Sequence, residues 1–328
     1  MLQLPDSWTW DFWIADTGDA YHLFFLFASK ALHDPERRHG RASIGHAVSK
    51  DLINWDRLPD VLVRGDEPSF DDVATWTGST VRGDDGLWYL FYTGNSSRPA
   101  PGTQRIGVAV SEDLITFTKV DSVVVEAHPS WYEKSADSLW FDEAWRDPWV
   151  FRDAAGEGWH MLITARANHG ETLERGVVGH AVSSDLLNWT VLPPITEPGG
   201  GFGQLEVPQV EVVDGRHVLI FSCLTDQIAE RRRDEAGTGG VWAVIGDGPL
   251  GPFDIEQARL IVDHSRYAGR IVRDRSGEWQ FLAFRNHEGG AFVGELADPV
   301  PFVPLLAAAY GSPAAQSGSV THGGSVAG

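Results

Sequence analysis

The chain has 328 residues, 42% of them hydrophobic and 22% charged, with 14 Trp and 16 Phe, enough apolar surface for a sizeable core and too much for a globally disordered chain. A formal net charge of -20 repels phosphate backbones and anionic lipid, so composition excludes nucleic acid and membrane surfaces as expected partners and favours a small neutral or cationic ligand. No basic and apolar leader opens the sequence, no stretch is long enough to span a bilayer, and the single cysteine, Cys223, reads as a small buried residue; together these predict a soluble, cytoplasmic protein.

Taken in chain order, the strand-like runs repeat. WDFWIAD from Trp10 is followed, across a turn, by YHLFFLFAS from Tyr21, then by IGHAVSKDLINWDRLP from Ile44, with an outer strand LPDVLV from Leu58. The second set is WTGSTVRGDDG from Trp76, LWYLFYTGN from Leu87 and IGVAVSEDLITFTKV from Ile106. The third is WRDPWVFRDAAG from Trp145, GWHMLITAR from Gly158 and VGHAVSSDLLNWTVLP from Val178. A fourth runs LEVPQVEVVDG from Leu205, RHVLIFSC from Arg216 and VWAVIGDGPLGPFDI from Val241, and a fifth opens with YAGRIVRDRSG from Tyr267 and EWQFLAFRN from Glu278.

Third strands recur at offsets of about 62, 72 and 63 residues, a period suited to one propeller blade. Alternating aromatic and β-branched residues bounded by Gly and Asp favour antiparallel strands. Long segments of helical period are missing, which excludes a two-domain α/β chain. The prediction is an all-β protein, a five-bladed β-propeller of four-stranded antiparallel blades over residues 1–310, with a flexible Gly/Ser/Ala-rich tail at 311–328.

Within Ser49–Trp55, Ser111–Phe117 and Ser183–Trp189, the Ser and Asp are expected to cap a tight turn and the aromatic residue to pack between blades. The segment after the charged run Glu230–Asp234 is expected to be an exposed loop.

The first strand of each propeller blade lines the central channel, so polar residues on these strands converge from distant parts of the sequence. Asp11 comes from the first set, Asp147 from the third and Glu206 from the fourth. Asp16, beside the Gly18 turn, reads as a solvated turn acid. Tryptophans beside the acids, Trp10, Trp13, Trp76 and Trp145, suit the apolar faces of a sugar ring, while carboxylates suit its hydroxyls and a cationic transition state. Arg270 or Arg166 is a candidate to balance the acids or to form a structural ion pair. His46 and His180 recur at equivalent strand positions and are expected to pack rather than bind metal. With no phosphate-binding glycine loop and no nucleophile elbow, no cofactor and no metal are expected.

Over about residues 8–225 the sequence resembles the five-bladed glycosidases of the invertase and β-fructosidase family, glycoside hydrolase family 32, with families 68 and 43 as relatives. Trp8-Thr-Trp-Asp11-Phe-Trp-Ile, followed by Tyr21-His-Leu-Phe, stands where the family has its nucleophile motif. Arg146-Asp147-Pro148 is similar to the Arg-Asp-Pro motif, Glu206-Val207-Pro208 to Glu-Cys-Pro, and Trp76-Thr77-Gly78-Ser79 to the second-blade motif. The resemblance implies Asp11 as nucleophile, Asp147 as transition-state stabiliser, Glu206 as general acid/base and Arg146 as their orienting neighbour, and it adds Thr77 and Arg146 to the expected substrate-binding set. It implies a glycoside hydrolase or transglycosidase acting on furanosides, foremost β-fructofuranosides, with retention. The alternatives are an inverting arabinofuranosidase or xylosidase like family 43, or a propeller that binds ligand or catalyses a non-hydrolytic acid-assisted step. The family's Pro-Asn-Gly is replaced by Phe12-Trp13-Ile14 and its Cys by Val207, and no C-terminal β-sandwich is expected.

Overall fold

The computed structural model describes residues 1–135 and 140–311, apart from the side chains of 122–124. The expected tail therefore lies, from residue 312 onward, outside the described residues.

Five antiparallel sheets form in succession. The first contains β1 (Ser7–Asp16), β2 (Tyr21–Ser29), β3 (Ser43–Ser49) and β4 (Asp56–Leu62). The second contains β5 (Ala74–Arg82), β6 (Trp88–Ser96), β7 (Thr103–Ser111) and β8 (Thr118–Val125). The third contains β9 (Trp145–Arg152), β10 (Trp159–Arg166), β11 (Gly176–Ser183) and β12 (Trp189–Leu192). The fourth contains β13 (Glu206–Val213), β14 (Arg216–Cys223), β15 (Gly240–Gly246) and β16 (Arg259–Asp263). In the fifth, β17 (Arg266–Arg273), β18 (Trp279–Glu288) and β19 (Ala291–Leu296) pair in sequence order, and β20 (Val300–Pro301) pairs with the free half of β18. The inner strands neighbour one another in the cyclic order β1, β5, β9, β13, β17 and back to β1, which closes the five-bladed propeller.

Apolar clusters between neighbouring blades hold the ring. Phe91, Ile106 and Val108 of the second blade pack with Met161, Ile163 and Val177 of the third. Leu162 and Val178 of the third meet Phe221 and Trp242 of the fourth. Val241 and Ala243 of the fourth meet Phe281 and Ala283 of the fifth, and Phe12 and Phe25 of the first meet Leu282 and Leu296 of the fifth. A strand face that is apolar on both sides of the sheet is therefore buried on both sides. The seam between first and last blades is reinforced by polar contacts. Asp16 pairs with Arg275 at 2.8 Å, and the Tyr21 hydroxyl donates to the Arg273 carbonyl at 3.0 Å.

The repeated Ser-x-Asp-Leu-x-x-aromatic segment forms the same turn three times. Ser183 Oγ accepts from the buried Leu186 N–H at 2.9 Å, and Asp185 Oδ1 accepts from Leu187 and Asn188 N–H at 3.0 and 2.7 Å. Ser49 and Asp51 repeat this pattern, and Asp113 caps Ile115 and Thr116 equivalently. Leu52, Leu114 and Leu186 adopt φ of 64°, 63° and 66°, a region unfavourable for such side chains that the caps and core burial enforce. Trp189 then sets its ring edge-on to Phe91 of the preceding blade at 5.4 Å, and Phe117 does the same to Phe24 at 5.8 Å.

Two short helices depart from the all-strand expectation. The charged run itself forms α1 (Glu230–Ala236), in which buried Arg232 bonds the Gly200 carbonyl at 2.8 Å while lying 4.9 Å over the Phe202 ring, and the irregular connection expected after the run is confined to residues 237–239. The other, α2 (Phe302–Tyr310), inserts Phe302 and Leu306 into the core between the fourth and fifth blades. Among the described residues there is no β-sandwich.

Ser183→Ala is expected to leave the Leu186 N–H buried without a partner, costing about 1–2 kcal/mol. This should lower the urea midpoint of unfolding with unchanged slope; an unchanged midpoint would show that the turn is held by packing alone.

Candidate active site

Every inner strand carries one extra residue at the same station. The register slips between Thr9 and Phe12 in β1, Trp76 and Gly78 in β5, Arg146 and Trp149 in β9, Glu206 and Gln209 in β13, and Tyr267 and Arg270 in β17. Such a β-bulge re-aims side chains out of strict alternation. The residues at these five bulges, Trp10 and Asp11, Trp76 and Thr77, Arg146 and Asp147, Glu206, and Tyr267, line one cavity of about 530 Å³. In β5 the bulge requires Gly78, since a Cβ there would lie 1.8 Å from the Phe91 carbonyl oxygen. In the third, fourth and fifth blades it puts Asp147, Val207 and Ala268 at φ of 58°, 53° and 49°. For a β-branched residue such as Val207 this conformation is strained. The strain has a visible return: the Val207 N–H donates to Asp147 Oδ2 and to Thr164 Oγ1, each at 3.1 Å.

The three acids expected from the sequence are thus brought together. Asp147 is 2% exposed, its carboxylate accepts from Thr164 Oγ1 at 2.8 Å, and its backbone N–H donates to Thr93 Oγ1 at 2.9 Å. Asp11 accepts from Thr77 Oγ1 at 2.6 Å. Burial, reinforced by the Asp147 charge, pushes the Asp11 carboxyl up to about 7, against the opposing pull of Thr77. Glu206 Oε1 meets Arg146 Nη2 at 2.5 Å, and its Oε2 accepts from the Tyr267 hydroxyl. Burial raises the Glu206 carboxyl, with Arg146 opposing and Asp147 adding to the rise.

Arg146 is the hub. Its Nη1 reaches Gln104 Oε1 at 3.1 Å and Asp142 at 3.4 Å, its Nη2 reaches Gln204 Oε1 at 2.5 Å, and its Nε lies 3.6 Å from Asp147. Burial would lower its proton affinity, yet Asp142, Glu206 and Asp147 around it hold it above the ordinary value. With several buried carboxyls around one guanidinium, the site favours holding protons among the acids, so one can donate while another is ionised.

The cavity wall on the first and second blades is aromatic. Trp10 and Trp76 stand edge-on to His39 at 6.2 and 6.4 Å, and Arg38 lies 5.6 Å over Trp10. His39 is exposed, and the nearby Arg38 and Arg146 charges disfavour its protonated form.

Two expected ligand-binding residues do not reach this cavity. Trp13 is fully buried, donates to Thr80 Oγ1 at 2.9 Å and stacks on Phe24 at 5.7 Å. Trp145 is fully buried, donates to the Val125 carbonyl at 3.0 Å and packs on Tyr132 at 4.8 Å. Both are core tryptophans: Trp145 precedes Arg146 on the strand and so faces the other side of the sheet, and Trp13 lies beyond the bulge. Arg166 forms a structural ion pair with Glu133 at 2.6 Å, and Asp16 sits in its seam pair far from the acids. His46 and His180 pack against His22 and His160, each ring pair 3.0 Å apart through its nitrogens.

Sequence reasoning missed Tyr267, although the fifth repeat places it where the fourth has Glu206 and the third Arg146. Arg38, His39, Gln104 and Asp142 come from loops or strand ends outside the repeat equivalence, and no pattern marked them.

The chain matches the glycosyl hydrolases family 32 N-terminal domain over residues 13–285. It is 34% identical over 213 residues to a sucrose-6-phosphate hydrolase from Bacillus subtilis, covering 62% of this chain and 38% of that protein. It is 31% identical over 184 residues to a 6(G)-fructosyltransferase from Asparagus officinalis, covering 53% of this chain and 27% of that protein. The matched segments thus span less than half the length of these relatives. In fold it is similar to an inulosucrase from Halalkalicoccus jeotgali bound to kestose, with a TM-score of 0.71 at 22% identity, over 89% of this chain and 81% of that one. It is also similar to a β-fructofuranosidase from Bombyx mori, with a TM-score of 0.66 at 22% identity, over 90% of this chain and 60% of that one.

An unfolded Asp carboxyl titrates near about 4, whereas folded Asp11 titrates at about 7. The folded state therefore loses stability as pH rises from the first value to the second, and the whole cost is present above the second. Asp11→Asn removes that cost. It is expected to match the parent chain in melting temperature near about pH 4 and to exceed it by several degrees near about pH 8, measured by scanning calorimetry; equal melting temperatures at the higher pH would contradict the burial argument.

Proposed function

We propose, from the premise that the chain belongs to glycosyl hydrolase family 32, that it cleaves or transfers β-fructofuranosyl groups with retention of configuration. The observation that carries this reading is the convergence of Asp11, Asp147 and Glu206 from three blades on one aromatic-walled cavity, with the Arg146 guanidinium against Asp147 and Glu206. The family match begins two residues after Asp11, so the role given to Asp11 rests on the cavity geometry. Relatives that hydrolyse sucrose 6-phosphate or transfer fructosyl groups support the sugar class.

In the proposed reaction, the ionised Asp11 carboxylate attacks the anomeric carbon of a bound fructosyl unit while the bond from that carbon to the leaving oxygen breaks. Glu206 gives its proton to that oxygen, which departs as an alcohol and leaves a fructosyl ester on Asp11. The Glu206 carboxylate then takes a proton from water or from a second sugar hydroxyl, the oxygen attacks the same carbon, and Asp11 is released. Burial supports Glu206 as the acid because it favours the protonated form, and Tyr267 and Arg146 orient it. Asp147, held by Thr164 and the Val207 N–H, is fixed to accept hydrogen bonds from sugar hydroxyls that strengthen as positive charge develops on the ring. The faces of Trp10 and Trp76 suit the sugar's C–H surface.

Asp11→Asn and Glu206→Gln are each expected to lower kcat on sucrose, sucrose 6-phosphate or fructo-oligosaccharides by about 1,000-fold or more, with unchanged circular dichroism. Near-parental activity in either variant would remove that residue's role, and binding without turnover across the substrates would refute hydrolysis and transfer alike.

Because Asp11 must lose its proton to attack, the acidic limb of kcat/KM is expected close to pH 7, following its raised proton affinity. Thr77→Val deletes the hydrogen bond that favours ionised Asp11, so the limb should move to higher pH and activity should fall more on the acid side than on the alkaline side. A limb that stays in place would separate Thr77 from the titration.

A further inference from the structure

Three carboxyls surround the Arg146 guanidinium, and the reaction proposed above uses two of them, Asp147 and Glu206. The third, Asp142, lines the same cavity, is 11% exposed at its side chain and lies 3.4 Å from Arg146 Nη1. Its Oδ2 also accepts from Gln104 Nε2 at 2.8 Å. Gln104, fully buried near the start of β7, uses both ends of its amide: while Nε2 holds Asp142, Oε1 accepts from Arg146 Nη1 and from the Trp145 N–H, each at 3.1 Å. Asp142, Gln104 and Arg146 thus close a ring of hydrogen bonds on the Nη1 side of the guanidinium. The Nη2 side is left to Gln204 and Glu206, each at 2.5 Å.

This arrangement has a geometric and an electrostatic consequence. Two acceptors on Nη1 fix the plane of a long side chain that a single bond at its tip would leave free to turn, and so fix where Nη2 meets Glu206. A guanidinium at that distance favours the ionised form of Glu206, and an ionised Glu206 has no proton to give a leaving oxygen. A negative charge on the opposite nitrogen offsets part of the Arg146 charge and itself disfavours charge on Glu206. Burial raises the Asp142 carboxyl, and the donors Arg146 and Gln104, with Arg166 nearby, favour its ionised form.

We infer that Asp142, paired with Gln104, is a positioning residue that holds the Arg146 guanidinium in place and keeps Glu206 a proton donor, an inference that rests on the fructosyl-transfer reading for its bearing on turnover. The other groups that bear on Glu206 are Asp147 and Asp11, whose charges favour its protonated form, the Tyr267 hydroxyl, which donates to its ionised form, and the buried Cys223 thiol. Asp142→Asn leaves all of these in place. It keeps the size of the side chain and one acceptor oxygen, and deletes the charge.

Because Glu206 must carry its proton in the first step, kcat/KM on sucrose or fructo-oligosaccharides declines as pH rises through its titration. Asp142→Asn should move this alkaline limb to lower pH by about one unit. Asp142→Asn combined with Gln104→Glu exchanges the amide and the carboxylate, returns a negative charge to Arg146 Nη1, and should bring the limb back toward the parent position. A purely structural Asp142 would instead lower activity alike at every pH, with no recovery in the double variant. A second readout needs no turnover: 13C NMR of the full chain labelled at the Glu side-chain carboxyl carbons, with the Glu206 signal assigned by its loss in Glu206→Gln. Its titration midpoint is expected about one pH unit lower in Asp142→Asn than in the parent. Equal midpoints, or an alkaline limb that stays in place, overturn the inference even where sugar is turned over. A lowered midpoint in a chain that turns over no fructoside upholds the role of Asp142 and refutes the proposed reaction.

Discussion

The structure depends on one extra residue in each inner strand. A regular strand sends neighbouring side chains to opposite faces, which would bury half of Trp10–Asp11, Trp76–Thr77 and Arg146–Asp147 between blades. The bulge turns both members of each pair toward the axis. Its cost is visible in the backbone, where Asp147, Val207 and Ala268 take positive φ, and so is the compensation. The strained Val207 N–H is the donor that fixes Asp147, and Gly78 removes the Cβ that the second-blade bulge has no room for.

Rigid surroundings let the site hold an unfavourable collection of charge. Asp142, Asp147 and Glu206 crowd around Arg146, and burial makes ionisation costly for Asp11, Asp142 and Glu206. A water-filled surface cleft would screen these charges, whereas in this cavity Asp142 and Glu206 are compensated first by Arg146, and the acids accept hydrogen bonds from Thr77, Thr164, Gln104 and Tyr267. The same low-dielectric surroundings that make the acids expensive also separate their tasks, since one carboxyl must keep a proton while another gives it up. Stability is supplied elsewhere, by the inter-blade apolar clusters and by the thrice-repeated Ser/Asp turn that locks blade to blade through Trp189 and Phe117.

The axis as a whole is polarised. One cavity carries the acids with Arg38 and Arg146, and a second, lined by later residues of the inner strands, carries Arg270 and Arg273 with one glutamate whose carboxyl is raised. Arg270 feels Asp147 and Asp11 on one side and Glu211 on the other, and burial still brings it down to about 10. Five inner strands running in the same sense along the axis give each end its own chemistry from successive residues of the same segments.

The blades were legible in the sequence because strand alternation, turn residues and the repeat period are local properties that each segment carries on its own. The three acids were legible for a related reason: once repeats are aligned, the inner strands must converge, so Asp147 and Glu206, one position apart in the aligned repeats, could be brought to the same part of the channel. What stayed hidden depended on which face of a strand a side chain takes. Trp13 and Trp145 lie within two residues of Asp11 and Asp147 and have the chemistry of a sugar platform, yet both are core, donating to Thr80 and to the Val125 carbonyl. Tyr267 reaches the cavity from a weak repeat, and Arg38 and His39 from a 3-10 turn between the second and third strands. Sequence by itself determined the propeller and the identity of the acids, since these follow from periodicity along the chain. Only the tertiary structure decided which neighbours face them, because a one-residue bulge reverses the facing of a strand and its partner strand lies far away in sequence.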